Sequence, residues 1–134
     1  MTTKIIYQGG LRTEAEHLRS GTRILTDAPV DNQGQGAAFS PTDLVATALG
    51  TCVLTIMGIR ARDRGLSLEG STAEVNKIMT TDPRRIGALE LTLHMRPGPF
   101  SPADKKILTA VADTCPVTKS LHPDLALRVD IHWP

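Results

Sequence analysis

The chain has 134 residues, 40% of them hydrophobic and 22% charged, with a formal net charge of +1. That length suits one domain over residues 1–134 with a single core, and the charge balance is too even to draw in a polyanion. The only aromatic residues, Tyr7, Phe39, Phe100 and Trp133, give no stacking platform beside a basic groove, so nucleic acid is excluded as a partner.

The chain begins with short β-like segments. Lys4 to Gln8 leads into Gly9-Gly10, Leu11 to Leu18 into Ser20-Gly21, and Thr22 to Thr26 into Asp27-Ala28-Pro29. Tight turns between short strands predict an antiparallel meander. Residues 29–39, with Gly34 and Gly36 among polar neighbours, read as the most flexible loop and the one best placed to edge a site. It is not a nucleotide loop, because the remaining glycines of such motifs are missing.

Ser40-Pro41-Thr42-Asp43 then opens a helix: a serine cap, a proline where its missing N–H costs nothing, and an acid that can reach back to the cap. The helix is predicted to run to about Arg64 and stop at Gly65. Residues 44–59 carry no charge on any face, which predicts a buried core helix. The run falls short of the about 20 apolar residues of a membrane span. No signal-like stretch follows Met1, so the expected location is the cytoplasm, with no membrane contact.

Strands are predicted over Ser67–Met79 and Ile86–Met95, the second with Leu89, Leu91, Leu93 and Met95 on one face. Ser101-Pro102-Ala103-Asp104 repeats the cap grammar and opens a helix that should end near Cys115-Pro116. Val117 to Leu121 reads as a short helix, and Leu125, Leu127, Val129 and Ile131 alternate as a last strand. The order predicts an α+β fold of antiparallel sheets around a buried central helix.

The only cysteines are Cys52 and Cys115. Two are too few for a secreted disulfide scaffold, and two lone cysteines are more often inert core residues than reactive ones. Cys52 sits inside the apolar helix, where desolvation favours the thiol, so reactivity there requires a nearby cation. Cys115 precedes Pro116 at a helix start, where unpaired N–H groups favour a thiolate, with Lys119 one turn on. The pattern fits a peroxidatic and resolving pair, though spacing alone does not bring the two together. His17, His94, His122 and His132 show no metal-ligand spacing with each other or with a cysteine, so neither a metal nor a cofactor is expected.

Three segments resemble the OsmC/Ohr family of osmotically inducible and organic hydroperoxide resistance proteins: Phe39 to Leu44, the small-residue run Ala46 to Cys52, and Cys115-Pro116-Val117-Thr118-Lys119-Ser120-Leu121. The last is similar to the osmotically inducible branch. The resemblance implies an OsmC-like fold and an intertwined homodimer. It also implies a thiol-dependent peroxidase for organic hydroperoxides in oxidative stress defence. Cys52 would become a sulfenic acid and Cys115 would close a disulfide with it. A dithiol reductant, such as the lipoyl-type dithiols that serve several relatives, would restore both thiols. The family's supporting arginine corresponds best to Arg12, with Arg19 and Arg23 as competitors. In the hydroperoxide-resistance branch a glutamate follows the proline; here Thr42 stands there, and the acid is Asp43, one step of about 100° round the helix. Asp43 therefore either replaces that glutamate or only caps the helix. The alternative reading is a non-catalytic redox-sensing or small-ligand-binding protein on the same fold.

Overall fold

Gly9 and Gly10 take φ of 83° and 60°, and Leu11 follows at 64°, a conformation that glycine reaches freely and leucine rarely does. This left-handed run turns the chain back on itself. In the computed structural model, which describes residues 1–134, the turn joins β1 (Thr3–Gly9) to β2 (Arg12–His17). Gly21, at φ 72°, helps turn the chain into β3 (Arg23–Asp27). The expected antiparallel meander, order β1-β2-β3, is present.

The chain forms two compact units, Met1–Val45 and Ala46–Pro134. In the first, the buried residues are Thr26, Asp27 and Ser40, none of them apolar, while Ile5, Ile6, Tyr7, Ile24 and Leu25 are exposed. The loop after β3 is wound rather than open. Asn32 and Gly34 donate their N–H groups to the Pro29 carbonyl at 2.9 and 3.0 Å, and Gly36 donates to the Ala28 carbonyl at 3.2 Å. A Cβ on Gly34 would fall 1.7 Å from the Ala28 carbonyl oxygen, so the winding needs glycine there.

The long helix α1 (Pro41–Arg62) starts as its cap predicts. The Ser40 hydroxyl accepts the Asp43 N–H at 3.1 Å, and the Asp43 carboxylate accepts the Ser40 N–H at 2.8 Å. Gly65 ends the turn beyond it at φ 69°. By length and composition α1 could cross a bilayer, but it is built into the core of the second unit. There Ala46, Leu49, Val53, Met57 and Ala61 are buried in one cluster with Leu89, Leu91, Leu93 and Met95, and Gly50 is buried among them. Its other side carries the exposed Thr51, Thr55 and Ile59. Burial on all faces was the expectation; within this unit the helix has only one sheet to lie on, and one sheet covers one face.

Gly50 sets the closeness of that contact. A Cβ there would lie 3.1 Å from Val75 Cγ2 and 3.7 Å from both Ala73 Cβ and Leu91 Cδ1. Gly50→Val is expected to lower stability by about 1–3 kcal/mol through overpacking, read as a lower denaturant midpoint with an unchanged slope.

The sheet of this unit has the order β4 (Thr72–Thr80), β5 (Arg85–His94), β6 (Ala126–His132). It is not wholly antiparallel, because β6 runs parallel to β5. The reason lies in the connection: between them come α2 (Pro102–Val111) and α3 (Pro116–Ser120), a crossover that returns the chain to the end where β5 began. Strand β4 starts at Thr72, later than the expected Ser67, because Leu66 and Leu68 pack against the core and Gly70, at φ 89°, turns the chain first. Helix α2 stops at Val111, and a single tight turn, Ala112–Thr114, carries the chain to Cys115.

Asp104 closes the cap of α2. Its N–H reaches the Ser101 hydroxyl at 3.1 Å, its Oδ2 accepts the Ser101 N–H at 3.0 Å, and Arg64 donates from Nε to Oδ1 at 2.8 Å. The Ser101 hydroxyl, then Arg64, then the Ser101 N–H hold its carboxyl down at about 2 from an ordinary 3.8. A depressed folded pKa contributes stability above the unfolded value and loses it as pH falls through the folded one. Asp104→Asn is therefore expected to lower Tm fully at neutral pH. The gap from the wild type should narrow between pH of about 4 and about 2 in a calorimetric pH series.

Candidate functional site

Cys52 stands at the middle of α1, beside the buried stripe rather than in it, and is half-buried. Cys115 is fully buried. It caps α3 at φ −58° and ψ 122°, an extended ψ imposed on the residue before Pro116, which fills the first helical position. The fold of the second unit brings the two thiols within hydrogen-bonding reach of each other.

Their surroundings push them apart as acids. Burial raises the Cys52 thiol, the hydrogen bond to Cys115 raises it further, and only the Val117 N–H opposes this. Burial also pushes Cys115 up. In its case the hydrogen bond from Cys52, the Thr118 N–H and hydroxyl, and the Val117 N–H together outweigh burial, and the thiol ends below its ordinary value. The two thiols are thus moved in opposite directions, Cys52 up and Cys115 down, and lose their protons as a pair. Lys119, one turn on, is exposed. Thr118→Val, which removes one donor to Cys115, is expected to raise the pH at which the first thiolate of the pair forms, measured by thiolate ultraviolet absorbance.

Arg12 and Asp43 belong to the other unit. Asp43 caps α1 through Ser40, as described above. Arg12 faces a carboxylate that no local motif marks. It is paired across the sheet with Asp27, the register setting the two residues opposite each other. Arg12 Nε lies 3.7 Å from Asp27 Oδ1, and its Nη2 donates to Gln35 Oε1 at 3.1 Å. Asp27 had been read only as the polar end of a strand. Nothing in spacing marks it as a partner of Arg12 until the register of β2 on β3 is known. Among the competing arginines, Arg23 on β3 is engaged by Glu14 and Glu16 of the middle strand β2 at 3.3 Å each, and Arg19 is exposed in the turn. A cavity of about 100 Å³ lies beside Arg12, lined by Gln8, Leu25, Thr26, Ala37 and Ala38. His122 is occupied in a turn, where its Nδ1 accepts the Asp124 N–H at 3.1 Å.

Comparison with known proteins places this geometry. No curated protein sequence matches the chain. A protein of Psychrobacter arcticus 273-4, provisionally described as an osmotic stress induced and detoxification response protein, is 52% identical with a TM-score of 0.93, over 98% of this chain and 96% of that one. An organic hydroperoxide resistance protein OsmC of Legionella pneumophila shares the fold at TM-score 0.69 and 22% identity, over 99% and 98% of the two chains. The organic hydroperoxide resistance protein OhrB of Bacillus subtilis shares it at 0.66 and 14%, over 98% of each chain. The family described as OsmC-like protein matches residues 34–130, a span that contains α1, both cysteines, β4, β5 and most of β6. The chain belongs to the OsmC-like protein family.

Proposed function

We propose that this protein is a thiol-dependent peroxidase that reduces organic hydroperoxides in oxidative stress defence. The carrying observation is the meeting of Cys52 and Cys115, from separate helices, in the core of the second unit, where each thiol shifts the other. The family membership and the names of the Legionella and Bacillus neighbours agree with it.

In this reading Cys52, the more exposed sulfur, is the nucleophile. As it attacks the outer peroxide oxygen, its proton passes to the Cys115 sulfur. The O–O bond breaks, and the leaving alkoxide takes a proton from Cys115 to depart as alcohol. Cys52 is now a sulfenic acid and Cys115 again a thiolate. Attack of Cys115 on the Cys52 sulfur forms the disulfide and expels hydroxide, which takes back from solvent the proton that Cys115 released on ionising and leaves as water. The sum is two thiols and one hydroperoxide converted to one disulfide, one alcohol and one water. A dithiol reductant, such as one of lipoyl type, returns the pair to its starting state. Because the Cys52 thiol is raised, attack requires a cation to stabilise the developing thiolate, and Arg12 is the residue assigned that work.

The working protein is a cytoplasmic homodimer in this reading. The support is the exposed apolar surface of β1 and β3 and of the outer side of α1. The test is stopped-flow oxidation of the reduced protein by cumene hydroperoxide and by hydrogen peroxide, with mass spectrometry of the product. Fast oxidation with preference for the organic peroxide and a Cys52–Cys115 disulfide is the expected result. Slow oxidation without a disulfide overturns it, and favours instead a redox-sensing or ligand-binding role, with which the raised Cys52 thiol also agrees.

A further inference from the structure

Asp27 is 1% exposed, among the most deeply buried polar groups of the protein. One of its oxygens is satisfied: Oδ2 accepts the Ala37 N–H at 2.9 Å. The other, Oδ1, is buried with no hydrogen bond. A buried carboxylate oxygen left in that state costs more than most side chains are asked to bear. The cation in front of it is Arg12, whose Nε stands 3.7 Å away, just outside hydrogen-bonding range. The backbone around Asp27 is pinned on both sides. The Asp27 N–H donates to the Phe39 carbonyl at 3.1 Å, and the Ala28 N–H donates to the Leu11 carbonyl at 3.2 Å. The next residue inward, Thr26, shares a hydroxyl contact of 2.6 Å with Thr13, the neighbour of Arg12 on β2. Arg12, by contrast, has a side chain 46% exposed and is tied at its far end only by Gln35. The carboxylate is therefore fixed, and the guanidinium is the part free to swing.

We infer that Asp27 is the positioning residue for Arg12: its buried Oδ1 clamps the guanidinium through Nε. This rests on the peroxidase reading proposed above, and it deepens that reading by supplying the carboxylate that Thr42 does not. The acid comes from β3, directly across the sheet from the arginine, rather than from the start of α1. Asp43 is committed to the α1 cap through Ser40.

Asp27→Asn keeps the shape and an oxygen for the Ala37 N–H, and removes the charge that Oδ1 presents to Arg12. In the homogeneous reduced protein it is expected to lower kcat/KM for cumene hydroperoxide by about 10- to 100-fold, the cost of loosening a positioned group. In an Arg12→Ala background the same change is expected to have no further effect on rate. A merely structural role would not give that coupling, because it would lower rate and melting temperature equally in both backgrounds. A readout independent of turnover is the Arg12 Nε–H resonance in nitrogen-15 spectra. It should be a distinct, slowly exchanging signal in the wild type and merge with the other arginines in Asp27→Asn. Additive effects on rate, or an Nε–H signal unchanged by the substitution, would overturn the inference. If the wild type itself consumes no organic hydroperoxide while the Nε–H signal behaves as expected, what falls is the peroxidase reading and not the clamp.

Discussion

Cys52→Ser is expected to reduce hydroperoxide turnover by at least about a thousandfold, the scale on which a nucleophile's loss is felt. Cys115→Ser should be different in kind. Cys52 remains, so a first oxidation still takes place, slowed by the loss of the sulfur that accepts its proton. It then stops at the sulfenic acid, since no second thiol is within reach to form the disulfide. Continued exposure to peroxide should drive this variant to sulfinic acid, which the wild type escapes by closing the disulfide. The two variants are separated by intact-mass measurement after one equivalent of cumene hydroperoxide. Cys52→Ser should show no added oxygen and Cys115→Ser one. Equal turnover by the wild type and Cys52→Ser would remove the basis of the proposed mechanism.

Oxidation should also change how firmly the chain is folded. The two cysteines are far apart in sequence, at positions 52 and 115, yet adjacent in the fold. A disulfide across a loop of that length restricts the unfolded chain and is expected to stabilise the oxidised protein by about 4 kcal/mol, provided that the bond closes without strain. The reduced thiols already interact with each other across α1 and the start of α3. Thermal melts of the reduced and peroxide-treated protein should show the oxidised form melting higher, and the difference should vanish in Cys115→Ser. An oxidised form that melts lower would mean that closure distorts α1 or α3.

The sequence made the elements legible where a single side chain carries local information. The cap of α1 could be read from Ser40, Pro41 and Asp43, and that of α2 from Ser101 and Asp104, because each cap is a contact between residues three apart. The alternation of Leu89, Leu91 and Leu93 showed the inner face of β5 for the same reason. What could not be read were facts of register and connection. The parallel placing of β6 depends on which way the chain re-enters after two helices. The pairing of Arg12 with Asp27 depends on which residues face each other across β2 and β3. The one-sided burial of α1 depends on how much else the fold supplies to cover it. The meeting of Cys52 with Cys115 belongs to this group also, and only the resemblance of the flanking motifs pointed to it in advance.

The N-terminal sheet has a thermodynamic consequence of its own. Its three strands bury no apolar side chain within their unit, and leave Ile5, Tyr7 and Leu25 open. A three-stranded sheet without a covered hydrophobic face is marginal by itself. With a second copy of the chain as its cover, the ordering of these strands becomes a bimolecular event governed by mass action. The melting temperature of residues 1–45 should then climb with the logarithm of protein concentration, and more steeply than that of the second unit, which is closed around its own core of leucines.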